Sequence, residues 1–79
     1  MDGKLYALDR LKQVREEKNL TQGEMAELLE MLTGKSISAS MYQKWEQGTH
    51  GIDPDFAVKI SKVLKVQLSE LWTAKSTLE

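Results

Sequence analysis

The 79-residue chain carries 11 basic and 12 acidic side chains for a formal net charge of −1, and its 41% hydrophobic content suits one modest core, not two. With no cysteine, disulfides and thiolate metal sites are excluded and a reducing compartment is the expected home. No apolar run approaches a membrane span and no basic-then-apolar leader opens the sequence, so the expectation is a cytoplasmic protein without a membrane partner.

Residues 1–4 read as a flexible polar lead-in. Leu5, Leu8, Leu11 and Val14 (or Arg15) recur at helical spacing and predict the inner face of a first helix running to about Lys18. Asn19 is placed as a left-handed stop, and Leu20 as a hydrophobic staple before the next cap. Thr21 and Glu24 form a Thr-x-x-Glu capping box. Met25, Leu28, Leu29 and Leu32 follow as one apolar stripe, and Gly34 supplies a left-handed end. After a short polar turn, Ser38 caps a third helix whose inward face holds Met41 or Tyr42, and Trp45, before Gly48. Asp53 caps a fourth helix with Pro54 at its first position and Asp55 in its positive first turn; Phe56, Ala57, Ile60, Val63 and Leu64 face inward. Lys65 to Gln67 turn the chain into a short fifth helix carrying Leu68, Leu71 and Trp72, and residues 73–79 form a patternless tail. One all-α domain over residues 5–72 follows, with no repeat, linker or low-complexity segment.

The stretch Thr21 to Gly48, two short helices joined by a turn, has the layout of a DNA-reading helix-turn-helix. From Leu11 to Trp72, about four fifths of the chain, the segments LKQVREEKNLTQGEMAELL, SISASMYQKWEQG and DPDFAVKISKVLKVQLSELW resemble the Cro/C1-type (lambda-repressor-like, XRE-like) helix-turn-helix regulators. The single motifs are loose; their order and spacing together are specific. The resemblance implies a five-helix DNA-binding fold. One departure stands out. Where most relatives pass almost directly into the turn before helix three, Leu29 is followed by EMLTGK, about six additional residues. Glu30 to Leu32 keep the helical pattern, which predicts a lengthened helix two and an extended turn through Gly34. A longer loop alone is the other reading.

DNA recognition needs phosphate contacts that fix register and side chains that read base edges in the major groove. By the resemblance, Ala39, Ser40 and Lys44, with Gln43 beside them, match the base-reading positions. Gln22 matches a phosphate-bonding glutamine at the start of helix two and Gln47 a backbone contact, while Lys35 stands on the added loop within phosphate reach. The set is chemically modest: Lys44 can donate to guanine O6 or N7, Ser40 discriminates weakly, and Ala39 offers a methyl group. Arg15 and Glu46 match an ion pair linking helices one and three. Leu68 and Trp72 read either as a dimer patch or, for Trp72, as a cap on the core, and Met31 and Leu32 as a further apolar contact if they face outward.

An acidic balance, with a sequence pI near 5.8, is unusual for a DNA binder. The sign changes locally: helix two holds Glu24, Glu27 and Glu30 and no base, whereas Lys35 to Gly51 holds Lys35, Lys44 and His50 against Glu46 alone. No base is spaced to activate Ser36, Ser38 or Ser40, His50 is the lone histidine, and no HExxH, P-loop or GxGxxG pattern occurs. The sequence therefore predicts neither an enzyme nor a cofactor or metal protein. It predicts a sequence-specific regulator, a phage or mobile-element repressor or Cro-like switch protein, that binds a double-stranded DNA operator as a homodimer. The other reading is a protein-binding modulator, an antirepressor or antitoxin, that pairs with another helix-turn-helix repressor and masks its DNA-binding face.

Overall fold

Five helices form in the computed structural model, which describes residues 3–74: α1 (Asp9–Glu17), α2 (Gln22–Thr33), α3 (Ala39–Glu46), α4 (Pro54–Leu64) and α5 (Leu68–Leu71). The capping box of α2 is complete. Thr21 Oγ1 accepts from the Glu24 amide at 3.0 Å, and the Glu24 carboxylate accepts from the Thr21 amide at 2.9 Å. The Thr21 amide, donating to the Glu24 carboxylate, and then the nearby Thr21 hydroxyl hold that carboxyl below its ordinary pKa. Asn19 and Gly34 both take the left-handed conformation that ends α1 and α2. Ser38 caps α3 by accepting from the Met41 amide at 3.0 Å. Asp53 occupies the N-cap position of α4 without capping it through its side chain, which instead pairs with Lys4.

The expectation of a longer α2 holds. The helix continues through Thr33, whose hydroxyl donates to the Leu29 carbonyl at 2.7 Å and accepts from the Lys35 amide at 3.1 Å. The Glu30 carboxylate then accepts from the Ile37 amide at 2.9 Å, and Ile37 is buried. The added residues thus form a closed corner in which the Lys35 and Ile37 amides find side-chain acceptors on α2.

Two sequence expectations give way. Helix one starts at Asp9, not near Leu5: Leu5 forms an antiparallel bridge with Ile52, while β1 (Tyr6–Ala7) pairs antiparallel with β2 (Trp72–Thr73). Leu8 is the N-cap of α1, and its amide donates to the Leu71 carbonyl at 2.8 Å. Four residues of helical spacing cannot arbitrate between helix and strand, and here long-range backbone partners decide. Helix five correspondingly stops at Leu71, so Trp72 lies on β2 rather than on a helix face. The all-α architecture carries a two-stranded clasp that ties its two ends together.

The core contains the fully buried Leu11, Met25, Leu29, Tyr42, Ile52, Ile60, Leu64 and Leu71. Met25 and Leu29 of α2 and Tyr42 of α3 both supply it, which fixes the helix-turn-helix pair from behind. Gly48 ends the α3 turn with φ +77°, and a Cβ there would sit 3.3 Å from the Ala7 carbonyl oxygen. Gly48→Ala combines left-handed strain with a backbone contact that has little room to yield, and should cost about 1–2 kcal/mol. A thermal melt checks this, with a fall of roughly 4–16 °C expected for a domain of this size.

Candidate nucleic-acid interface

Helix α3 is anchored on one side and open on the other. Tyr42, Trp45 and Glu46 are buried, at three- and four-residue spacing. Ser40, Gln43, Lys44 and Gln47 recur at the same spacing on the opposite side, and all four are exposed, as is Ala39. Between the two inward candidates, Tyr42 packs inside and Met41 is 46% exposed.

The helix stands as a ridge between two surface troughs. One, of about 390 Å³, is bordered by Ser40, Met41, Lys44, His50 and the edge of Trp45. The other, of about 540 Å³, has Gln22, Gln43, Glu46 and Gln47 along it, with Asp9, Lys12, Gln13 and Glu16 of α1 opposite. The structure therefore brings together Ala39, Ser40, Gln43, Lys44, Gln47 and Gln22. Lys35 lies elsewhere, its Nζ 5.4 Å from the centroid of the Phe56 ring in a trough between α2 and α4. Met41 and His50 join this face in the folded chain. The helical phase fixed by Tyr42 and Trp45 would have placed Met41 at its edge. His50 is brought alongside by the loop after Gly48, where Thr49 Oγ1 donates to the Lys44 carbonyl at 3.1 Å and lies 3.2 Å from His50 Nδ1.

The ridge is braced by a buried ion pair. Arg15 Nε and Nη2 donate to Glu46 Oε2 and Oε1 at 2.7 and 2.9 Å, a bidentate fork, and Nη1 donates to the Leu20 carbonyl at 2.6 Å. One pair thus fixes α3 to α1 and to the turn that opens α2. Gln22 Nε2 also donates to Glu46 Oε1, at a long 3.4 Å, which leaves its second amide N–H for another acceptor. Burial works against the charged form of Glu46, yet the hydrogen bonds and charge of Arg15, helped by Tyr42 and Gln22, outweigh it and hold the carboxyl below its ordinary pKa. The Glu46 hydrogen bonds in turn raise Arg15, against the opposing effect of burial. Burial first, and then the Glu46 charge, pushes the Tyr42 phenol upward, so it stays neutral; its oxygen is buried without a hydrogen bond of standard geometry.

Met31 at 81% and Leu68 at 38% exposure remain outside, and so does Leu32 at 54%, so the inward stripe of α2 ends at Leu29. Trp72 does not join Leu68 in a patch. Its ring is buried, and Nε1 donates at 3.2 Å to Ser61 Oγ, which itself donates to the Ala57 carbonyl at 2.9 Å. The strand geometry of β2 turns the indole into the core, so Trp72 caps the core and does not form a dimer patch with Leu68. Among the described residues there is no cluster of histidines and carboxylates able to hold a metal, and no helix long and apolar enough to cross a membrane.

A capped helix, a turn and a second capped helix that is held from behind and solvent-exposed in front define a helix-turn-helix protein. The model of the helix-turn-helix family HTH_3 matches residues 11–71, and the chain belongs to that family. Among solved structures, the crystal structure of a candidate DNA-binding protein from Bacteroides fragilis is similar, with a TM-score of 0.61 and 25% sequence identity over 87% of this chain and 98% of the other. No curated protein matches the chain significantly.

Proposed function

We propose that the protein is a sequence-specific DNA-binding regulator, a repressor or Cro-like switch of the phage or mobile-element kind, that inserts α3 in the major groove. The observation that carries this reading is the two-sidedness of α3: Tyr42, Trp45 and the Arg15–Glu46 pair hold it from behind, and Ser40, Gln43, Lys44 and Gln47 project from its front. A ridge of one helix between two troughs suits a groove about 12 Å wide. In this reading Ala39, Ser40, Gln43 and Lys44 meet base edges. Gln22, at the N-terminus of α2, and Gln47 meet phosphates, the former where free helix N–H groups and the dipole favour an anion. Each copy offers one α3, so a two-fold operator with half-sites ~34 Å apart takes two copies.

The salt dependence of duplex binding tests the proposal. Affinity should fall with log K losing ~0.9 per phosphate neutralised for each unit of log salt. Binding indifferent to salt, or none by a folded protein, would contradict it. The masking-module reading draws on a different observation, the exposure of Met31 and Leu32 on the added turn of α2.

A further inference from the structure

The added turn of α2 carries an apolar surface that no other described residue covers. Met31 is 81% exposed and Leu32 54%, and both follow Leu29, where α2 has already delivered its last fully buried side chain. Leu32, Val63, Lys59 and Lys62 line one trough of about 440 Å³ between α2 and α4. Leu32 and Lys59 also border the neighbouring trough around Phe56, of about 290 Å³. An exposed apolar strip of this kind, rimmed by charge, is the ordinary mark of an interaction site.

The charges around the strip decide what fits it. On α2, Glu24 is engaged by Thr21 and Glu30 by the Ile37 amide, while Glu27, one turn before Met31, makes no ion pair or hydrogen bond among the described residues. On α4, Lys59 and Lys62 likewise make none. Glu27 on one edge and Lys59 and Lys62 on the other, with Asp55 and Lys35 adding one charge of each sign at the Phe56 trough, make the patch complementary to itself. A generic acidic partner would use only the lysines and leave Glu27 opposing it; a second copy uses both edges.

We propose that the C-terminal half of α2 and the outer face of α4 form an isologous contact with a second copy of this chain. Met31 and Leu32 of each copy enter the trough of the other, with the two-fold axis near Leu32. The crossing sends the acidic half of each α2 toward the partner's α4, so Glu27 of one copy faces Lys59 and Lys62 of the other, twice. The contact is supplied by the EMLTGK extension that sets this chain apart, and it does not depend on DNA binding.

Charge swapping with sedimentation equilibrium tests it, without DNA. Wild type should be a dimer at low salt. Glu27→Lys alone, and Lys59→Glu with Lys62→Glu, should each weaken the dimer by at least about tenfold, because like charges then face each other twice across the axis. Mixed in equal amounts, the two variants should associate again, since every facing pair is once more opposite in sign. Circular dichroism of each variant confirms folding, which should stay intact because Glu27 and Lys62 are exposed and Lys59 is only half-buried. A wild type that stays monomeric would overturn the proposal and leave the strip to a different protein. Variants that dimerise as tightly as wild type, or folded variants that fail to recover on mixing, would overturn it too and move any dimer to another face such as that of Leu68.

Discussion

Glu46→Ala is expected to lower the stability of the domain by ~3 kcal/mol, a fall of roughly 12–24 °C in Tm. The substitution leaves the Arg15 guanidinium buried beside α3 with only the Leu20 carbonyl as partner. It also removes the acceptor of Gln22 and the carboxylate next to the buried Tyr42 hydroxyl. The lower end of the range for a broken buried pair applies because Glu46 borders the open trough between α1 and α3, where water can enter once the carboxylate is gone. The same pair sets a pH dependence. The folded-state pKa of Glu46 lies below its ordinary value of 4.5, so its contribution is complete above about pH 4.5 and is lost as pH falls through the folded value. Chemical denaturation between pH 7 and pH 3 should show wild type losing more stability on acidification than Glu46→Ala. Equal losses would show that the carboxylate is not held as its geometry implies.

Lys44→Ala should weaken binding to a cognate duplex by about 5- to 150-fold, the range for one specific contact worth ~1–3 kcal/mol, while leaving the melting temperature within about 2 °C. Lys44 is exposed at the centre of the α3 front and no hydrogen bond or ion pair of its side chain occurs among the described residues, so its removal strands nothing within the fold. Competition titrations against duplexes varied one base pair at a time give the second readout. A base-reading Lys44 loses discrimination at one position, whereas a phosphate-binding one loses affinity evenly over all sequences and with it about one unit of salt slope. An unchanged affinity and preference would remove Lys44 from the interface.

Much of the fold is legible in the sequence because its signals are local. The Thr21–Glu24 box, Asn19, Gly34, Ser38 and Pro54 each act within a few residues, and α2, α3 and α4 begin or end at them. The signals that mislead are those whose outcome depends on distant chain. Leu5 and Leu8 fit a helical spacing, but the Ile52 and Leu71 backbones claim them. Trp72 follows Leu71 in a helical pattern, yet pairing with Ala7 turns it inward onto Ser61. The interface divides the same way. Helical periodicity separates Tyr42 and Trp45 from Ser40 and Lys44 without a structure. That Gln22 bonds the very carboxylate that anchors α3, and that His50 comes alongside Lys44, follows only from how α1, α2 and the loop after Gly48 converge. Lys35 shows the limit in the other direction: loop position alone does not say that its ammonium rests over Phe56.

The most direct test of a sequence-reading α3 is selection of bound duplexes from a randomised pool at two salt concentrations, with Lys44→Ala in parallel. Enrichment of one motif that is stronger at low salt, and that changes or disappears in the variant, is the expected result. A folded, monodisperse protein that enriches no motif at either salt concentration would contradict it.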